Sequence, residues 1–347
     1  MNIMISINRD YIKYACIMLM SLKQHHQGIL LSVYILHNEL ADEDFMKMDE
    51  VIGSEGIELI PVFIPKGTVK DFQIGNWPEE AAYRLLATDL FAGSLDRILH
   101  LDVDILITGD ISEFYNTPFD GNYLVACEDF LTDEVRRRKC HDFGKEEDGR
   151  FFNSGVLLFN IPKLKEDGYC YALYADILKK YPNIKMEYPD QDMLNILFWD
   201  KTKYMDRLRY NYASLHYRIE ETENLYGSLE ELERNCSIIH MIGGTKPWVN
   251  ISKTAVDELW WEYAARTPFY WDMKIAHVES MLRREQKMNS VIDGKIKEIS
   301  HGTAANQLLH DVEETLFQIL EQKFRMIDRL SEKFQKSPKE NRETSDI

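Results

Sequence analysis

A chain of 347 residues with 45% hydrophobic and 29% charged residues can build one large α/β core plus a smaller appendage, and its composition excludes disorder along most of its length. A formal net charge of −17 excludes a broad basic surface for nucleic-acid phosphates, so no nucleic-acid partner is expected and an anionic substrate must be met by local cations or a metal. Five scattered cysteines without paired metal-ligand spacing, no basic leader-like opening and no apolar run near the roughly eighteen residues of a membrane span suit a reduced, cytoplasmic protein, with peripheral contact at the inner face of a membrane as a further option.

Residues 2–7 pattern as a short buried strand, and residues 11–26 as a helix with Ala15, Met18, Leu19 and Leu22 on one face. Asn8, Arg9 and Asp10 form the turn between them. Such turns at the carboxyl edge of a parallel sheet are where open α/β folds bind ligands, so these side chains either face a nucleotide or cap the helix. A second strand over 30–36, a helix over 42–52 with Phe45, Met48 and Ile52 inward, and a third strand over 58–64 extend the alternation. That alternation predicts a parallel sheet with helices on both faces. After a loop over 65–77, residues 78–91 read as a helix with Tyr83, Leu86, Ala87 and Leu90 inward. Arg84 lies beside that face, either as a surface charge or as a cation aimed at acidic groups.

In the stretch Arg97-Ile-Leu-His-Leu-Asp-Val-Asp-Ile-Leu-Ile-Thr108, Asp102 and Asp104 interrupt an otherwise apolar run. Burying ionised carboxylates is costly unless something pairs with them, and a divalent cation satisfies two at once. In extended chain both would point to one side, with Val103 turned to the core. Two solvated turn residues are the alternative.

Residues 124–127 read as a further strand, and 128–150 as a charged, turn-rich segment with the basic run Arg136-Arg137-Arg138-Lys139. That run is a solvated face or a contact for an anionic acceptor or headgroup. Asn153 interrupts the apolar strand 151–160, and Gly155 admits a backbone or ligand. A buried amide there needs hydrogen-bond partners, from a sugar's hydroxyls or from a strand-end bulge. A helix is expected over 164–181 despite Gly168, and another after Pro189, with Asp190, Gln191 and Asp192 in its first turn. Capping accounts for Asp190 but not for Gln191. A strand over 236–241 leads into His240, Gly243, Gly244, Lys246, Pro247 and Trp248. The imidazole can ligate a metal and the ammonium can meet a phosphate, or the histidine is a satisfied core residue. Apolar residues from Leu309 to Phe334 recur at three- and four-residue steps, as in a long amphipathic helix that packs on its own domain, self-associates as a homo-oligomer, or approaches a membrane.

Taken in order, Tyr83-Arg84, Leu101-Asp102-Val103-Asp104, Asn153-Ser154-Gly155, Asp190-Gln191-Asp192 and His240 with Gly243 and Lys246-Pro247-Trp248 resemble the landmarks of the retaining glycosyltransferases of family 8, the group of bacterial lipopolysaccharide galactosyl- and glucosyltransferases and of glycogenin. The resemblance covers residues 1–267 and implies a catalytic domain of the GT-A type, a Rossmann-like, mostly parallel α/β sheet; outside it, apolar periodicity predicts a helical extension over 268–335 and polar composition a disordered tail over 336–347. It also implies transfer of glucose or galactose from UDP-glucose or UDP-galactose to a glycan or other hydroxyl acceptor, including a lipid-linked one. Asp102, Asp104 and His240 would hold Mn2+, with Mg2+ as the alternative ion, a donor set that suits manganese. Ser6, Asn8, Asp10, Tyr11 and Val103 join the donor-binding set, with Tyr11 near the base and Asn8 accepting from the uracil imide. Gly243 and Lys246 would hold the diphosphate, and Arg84, Asn153, Asp190 and Gln191 would surround the sugar. Gln191 would lie beneath the anomeric carbon, with Asp192 as an alternative nucleophile. A catalytically idle UDP-binding relative and a sugar nucleotidyltransferase on a similar fold are the competing functions.

Overall fold

In the computed structural model, which describes residues 1–72, 78–146, 149–180, 186–214, 228–244, 246–249 and 254–299, the amino-terminal alternation folds as its periodicity predicts. Strands β1 (Asn2–Ser6), β2 (Leu31–His37) and β3 (Ile57–Phe63) run parallel, with helices Ile12–His25 and Asp42–Ile52 as crossovers. The second helix opens with Asp42, Glu43 and Asp44, acids that suit its positive end, and Asp44 accepts from the Ala41 backbone N–H.

The remaining strands are β4 (Arg97–Leu101), β5 (Ile105–Ile107), β6 (Leu124–Glu128), β7 (Phe152–Asn160), β8 (Thr202–Met205), β9 (Tyr212–Ala213) and β10 (Ile238–His240). They form a seven-stranded sheet in the order β3-β2-β1-β4-β7-β6-β8 and a three-stranded sheet in the order β5-β10-β9. The large sheet is mostly parallel, but β7 runs antiparallel to both β4 and β6. Strand residues alternate between two cores, as burial on both faces requires. Ile3, Ile5, Leu99 and Leu101 meet Ala15, Met18, Leu19, Leu22, Phe45 and Met48 on one face, while Met4 and Ile98 meet Tyr83, Leu86 and Phe91 on the other. A third cluster gathers Tyr212, Ile239, Trp260 and Trp261 around the small sheet.

Several elements differ from their expected form. Residues 79–86 wind as a 3-10 helix before the short α-helix Ala87–Phe91, and Glu79, Glu80, Ala82, Tyr83, Arg84, Leu85 and Leu86 are all buried. The helix expected over 164–181 is two, Ile161–Glu166 and Tyr171–Leu178, because Gly168 takes φ +76° between them. The charged segment holds a helix, Asp133–Asp142, capped by the Thr132 hydroxyl, and its Lys139 is buried, not solvated. The cysteines are free thiols, all but Cys170 buried.

Met1–His277 forms one compact unit and the chain from Val278 belongs to a second, of which the described residues are helical to Ile299. The amphipathic pattern from Leu309 to Phe334 and the polar tail lie outside the described residues. Among the described residues no helix is long and apolar enough to cross a membrane.

Candidate active site

The chain leaves the large sheet at the end of β4 and enters the small one at β5, and the turn between them carries Asp102, Val103 and Asp104. These residues are therefore in a turn, not in one extended strand, and the carboxylates converge because of what surrounds them. Strand β10 pairs antiparallel with β5, His240 opposite Ile105, and the Met241 N–H donates to the Asp104 carbonyl at 2.8 Å. This register puts the buried His240 ring over the turn. One ligand atom each from Asp102, Asp104 and His240 lie within 4.8 Å of one another, with His240 Nε2 at 3.2 Å from Asp104 Oδ1 and 3.9 Å from Asp102 Oδ2. Two carboxylate oxygens and an imidazole nitrogen form a donor set that fits a divalent first-row ion or magnesium. Gly155 makes room for the ring: a Cβ there would lie 2.3 Å from His240 Cε1. The close approach expected at Gly155 is thus a side chain of the site itself.

Cations ring the carboxylates. Arg84, buried, reaches Asp102 Oδ1 at 2.8 Å and Asp190 Oδ2 at 3.0 Å and donates to the Ser154 carbonyl, while Lys246 pairs with Asp104 and donates to the Met241 carbonyl. Burial by itself raises the Asp102 carboxyl, but Arg84, then His100 and His240, outweigh it and hold the group far below the usual carboxylate range. At Asp104 burial also pushes upward, and Lys246 and His240 prevail, holding it at about 2. Asp190 is raised, by burial more than Arg84 lowers it.

His100 was not among the expected site residues. It lies in β4, its Nε2 at 3.1 Å from Asp102 Oδ1, and burial, followed by the Arg84 charge, pushes the imidazole down to about 4. A base that protonates less readily folded than unfolded, where the value is about 6.5, leaves stability complete above that pH and removes it as pH falls toward 4. The loss assigned to His100 is on the order of 3 kcal/mol. Urea unfolding at pH 7.5 and 4.5 checks this: His100→Gln, which keeps a donor for Asp102, should lose less stability over that interval than wild type, and equal losses would contradict it.

A second polar cluster lies at the junction of β7 and the helix Pro189–Phe198. Gln191 Oε1 accepts from the Ser154 N–H at 2.9 Å, its Nε2 donates to Asp129 Oδ2 at 2.9 Å, and Asn153 Nδ2 is 3.4 Å from both Asp129 Oδ1 and Gln191 Oε1. Asp129 was also missed; it follows β6 as Asp102 follows β4, a carboxylate at the end of an apolar strand. Burial raises its pKa against the hydrogen bonds that it accepts.

Asp192 is not brought to this group. It is 1% exposed, pairs with Lys139 at 2.7 Å, and accepts from the Glu187 and Tyr188 N–H groups, capping its helix. Cutting this buried ion pair leaves Lys139 with only the more exposed Glu187, at 3.7 Å, so Asp192→Ala should cost about 3 kcal/mol of stability. Calorimetry paired with turnover per folded molecule tests the role: unchanged melting with abolished turnover would make Asp192 a reacting group instead.

At the carboxyl end of β1, Ser6 Oγ and Asn8 Oδ1 are buried and have no hydrogen-bond partner among the described residues, as groups awaiting a ligand would be. Tyr11 is 40% exposed and feels Asp104 and Lys246 electrostatically, and Asp10 is exposed on the 3-10 turn Arg9–Tyr11. Tyr14 meets Tyr11 edge-on and stacks on Trp248 with centroids 4.2 Å apart, fastening the Lys246-Pro247-Trp248 loop to the first helix. Gly243 in that loop has φ +81°, a conformation that side chains disfavour.

The profile described as Glycosyl transferase family 8 matches residues 2–252. The chain belongs to glycosyltransferase family 8. It is similar to a lipopolysaccharide 1,2-glucosyltransferase of Escherichia coli, 27% identical over 257 residues covering 71% of this chain and 73% of that protein. It is also similar to the glycosyltransferase GlyB of Streptococcus pneumoniae serotype 4, 29% identical over 67% of this chain, which spans only 54% of that relative. Among solved structures, galactosyltransferase LgtC in complex with donor and acceptor sugar analogs superposes with TM-score 0.63 at 21% identity, over 77% of this chain and 96% of that one. The family 8 chain is therefore a transferase with the GT-A architecture, as the ordered landmarks implied.

Proposed function

We propose that this family 8 enzyme is a metal-dependent retaining hexosyltransferase that moves glucose or galactose from a UDP-sugar to a hydroxyl of a glycan. The observation that supports this reading is the convergence of Asp102, Asp104 and His240, together with Ser6 Oγ and Asn8 Oδ1, which have no hydrogen-bond partner among the described residues. Asp102, Asp104 and His240 would hold Mn2+ or Mg2+, which when bound supplies electrostatic stabilisation to a departing diphosphate.

The protein's own groups divide the remaining work. Lys246 adds a second positive charge for the diphosphate, and Gly243 leaves room for its approach. Asn8 Oδ1 accepts from the uracil imide and Tyr11 offers an exposed ring to the base. Arg84, with Asp190 beside it, orients sugar hydroxyls. Gln191 is held at both ends of its amide by Ser154 and Asp129, so it acts as a fixed dipole toward positive charge at the anomeric carbon and not as a nucleophile. We favour attack by the acceptor on the face that UDP leaves, its proton passing to the departing phosphate oxygen. The similarity to a lipopolysaccharide glucosyltransferase supports an envelope glycan, including a lipid-linked one, as acceptor.

The test is UDP release from a panel of UDP-sugars with Mn2+, with Mg2+ and with chelator. Release from one hexose donor, lost with chelator, is expected. Release of pyrophosphate from a sugar phosphate and UTP would make the protein a nucleotidyltransferase, and Mn2+-dependent UDP binding with no turnover on any acceptor glycan would make it an idle relative.

A further inference from the structure

The polar side chains behind His240 form a chain whose direction is set by a backbone donor. The Gly155 N–H can only donate, and it lies 2.9 Å from Asn153 Oδ1, so that atom is the amide oxygen of Asn153. Asn211 meets the same oxygen at 3.0 Å and must therefore present its NH2 there. The other end of the Asn211 amide, its oxygen, lies 2.9 Å from His240 Nδ1, which must then carry a proton. Asn211 is fully buried, as is His240 apart from a few per cent, so water does not offer either group an alternative partner. With Nδ1 protonated, the neutral ring keeps its lone pair on Nε2, the nitrogen that faces Asp104 and Asp102.

We infer that Asn211 is a positioning residue that fixes the ring orientation and tautomer of His240, turning a strand-end histidine into a ready-made nitrogen ligand for the cation. The inference rests on the metal reading above for its purpose but not for its geometry. Groups that hold the far nitrogen of a ligating histidine typically contribute 10–100-fold in metal affinity. Asn211 lies between a four-residue helix, Arg207–Tyr210, and strand β9, whose parallel pairing with β10 sets Ala213 opposite His240 and holds the two segments together. The sequence around Tyr210-Asn211-Tyr212 carries no ligand-like spacing, and only the fold brings Asn211 to the site.

Ring 15N shifts of His240 in metal-free protein, recorded at pH 8.5 and assigned with a His240→Gln control, test the geometry without turnover. Wild type is expected to show a proton on Nδ1, Asn211→Asp to retain it because a carboxylate still accepts that proton, and Asn211→Leu to lose it. Mn2+ titration followed by electron paramagnetic resonance should show a dissociation constant about 10–100-fold weaker in Asn211→Leu than in wild type. A wild-type ring with Nδ1 unprotonated overturns the inference, as does a correctly folded Asn211→Leu with unchanged Nδ1 protonation and unchanged Mn2+ affinity. Absence of Mn2+ binding in wild type would sink the metal reading instead, and the ring tautomer would still decide the role of Asn211.

Discussion

Asp104→Asn should lower UDP-sugar turnover by at least about a thousandfold, the equivalent of roughly 4 kcal/mol of transition-state stabilisation. The substitution keeps the shape of the side chain and removes the charge that faces His240 Nε2 at 3.2 Å and pairs with Lys246. An amide oxygen is a weaker ligand for a hard cation, and Lys246, freed from its partner, has a reduced local field to work against. Stability should fall as well, because Lys246 and His240 stabilise this carboxylate by more than burial and the neighbouring charge of Asp102 oppose it, so turnover is read per folded molecule. Steady-state UDP release together with a melting curve checks both parts. Turnover within tenfold of wild type would remove Asp104 from the machinery.

Arg84→Leu should be strongly destabilising. This guanidinium is buried between Asp102 and Asp190, at 2.8 and 3.0 Å, and also satisfies the Ser154 carbonyl. Its removal leaves two partly buried carboxylates facing each other without their cation, a loss of about 3–5 kcal/mol at most. For a chain of this size that corresponds to roughly 5–15 °C in melting temperature. Arg84→Lys should not restore it, since one ammonium cannot span two carboxylates as the planar fork does. Lower pH should partly rescue Arg84→Leu by protonating Asp190, whose carboxyl burial already raises. Differential scanning calorimetry at pH 5 and pH 8 measures this, and a melting temperature within a degree of wild type would contradict the clamp.

Much of this arrangement was legible before any coordinates, for identifiable reasons. Period-two and period-3.6 patterns reported the first three strands and two helices because each element has a core to face. Asp102 and Asp104 stood out because charge in an apolar run requires a partner, and His240 because glycines and Lys246 follow it. The reversal of β7 was not legible: a strand buried on both faces reads alike in either direction. Nor was the distribution of the acidic turn over two sheets. Asp129, His100 and Asn211 escaped because each is a single polar residue whose partners are distant in sequence, Asn211 meeting Asn153 across 58 residues and His240 across 29. Asp192 drew attention through its neighbour Gln191, yet its partner is Lys139, in a basic run that reads as solvated.

The most direct measurement is calorimetric titration of UDP into the wild-type protein with Mn2+ and with chelator, repeated on Asp104→Asn. If Asp102, Asp104 and His240 form a cation site that serves a uridine diphosphate, UDP binds with Mn2+, binds at least about tenfold more weakly with chelator, and binds no better with the ion than without it in the variant. Equal UDP affinity with and without Mn2+ in wild type, or no UDP binding in either condition, would contradict the account.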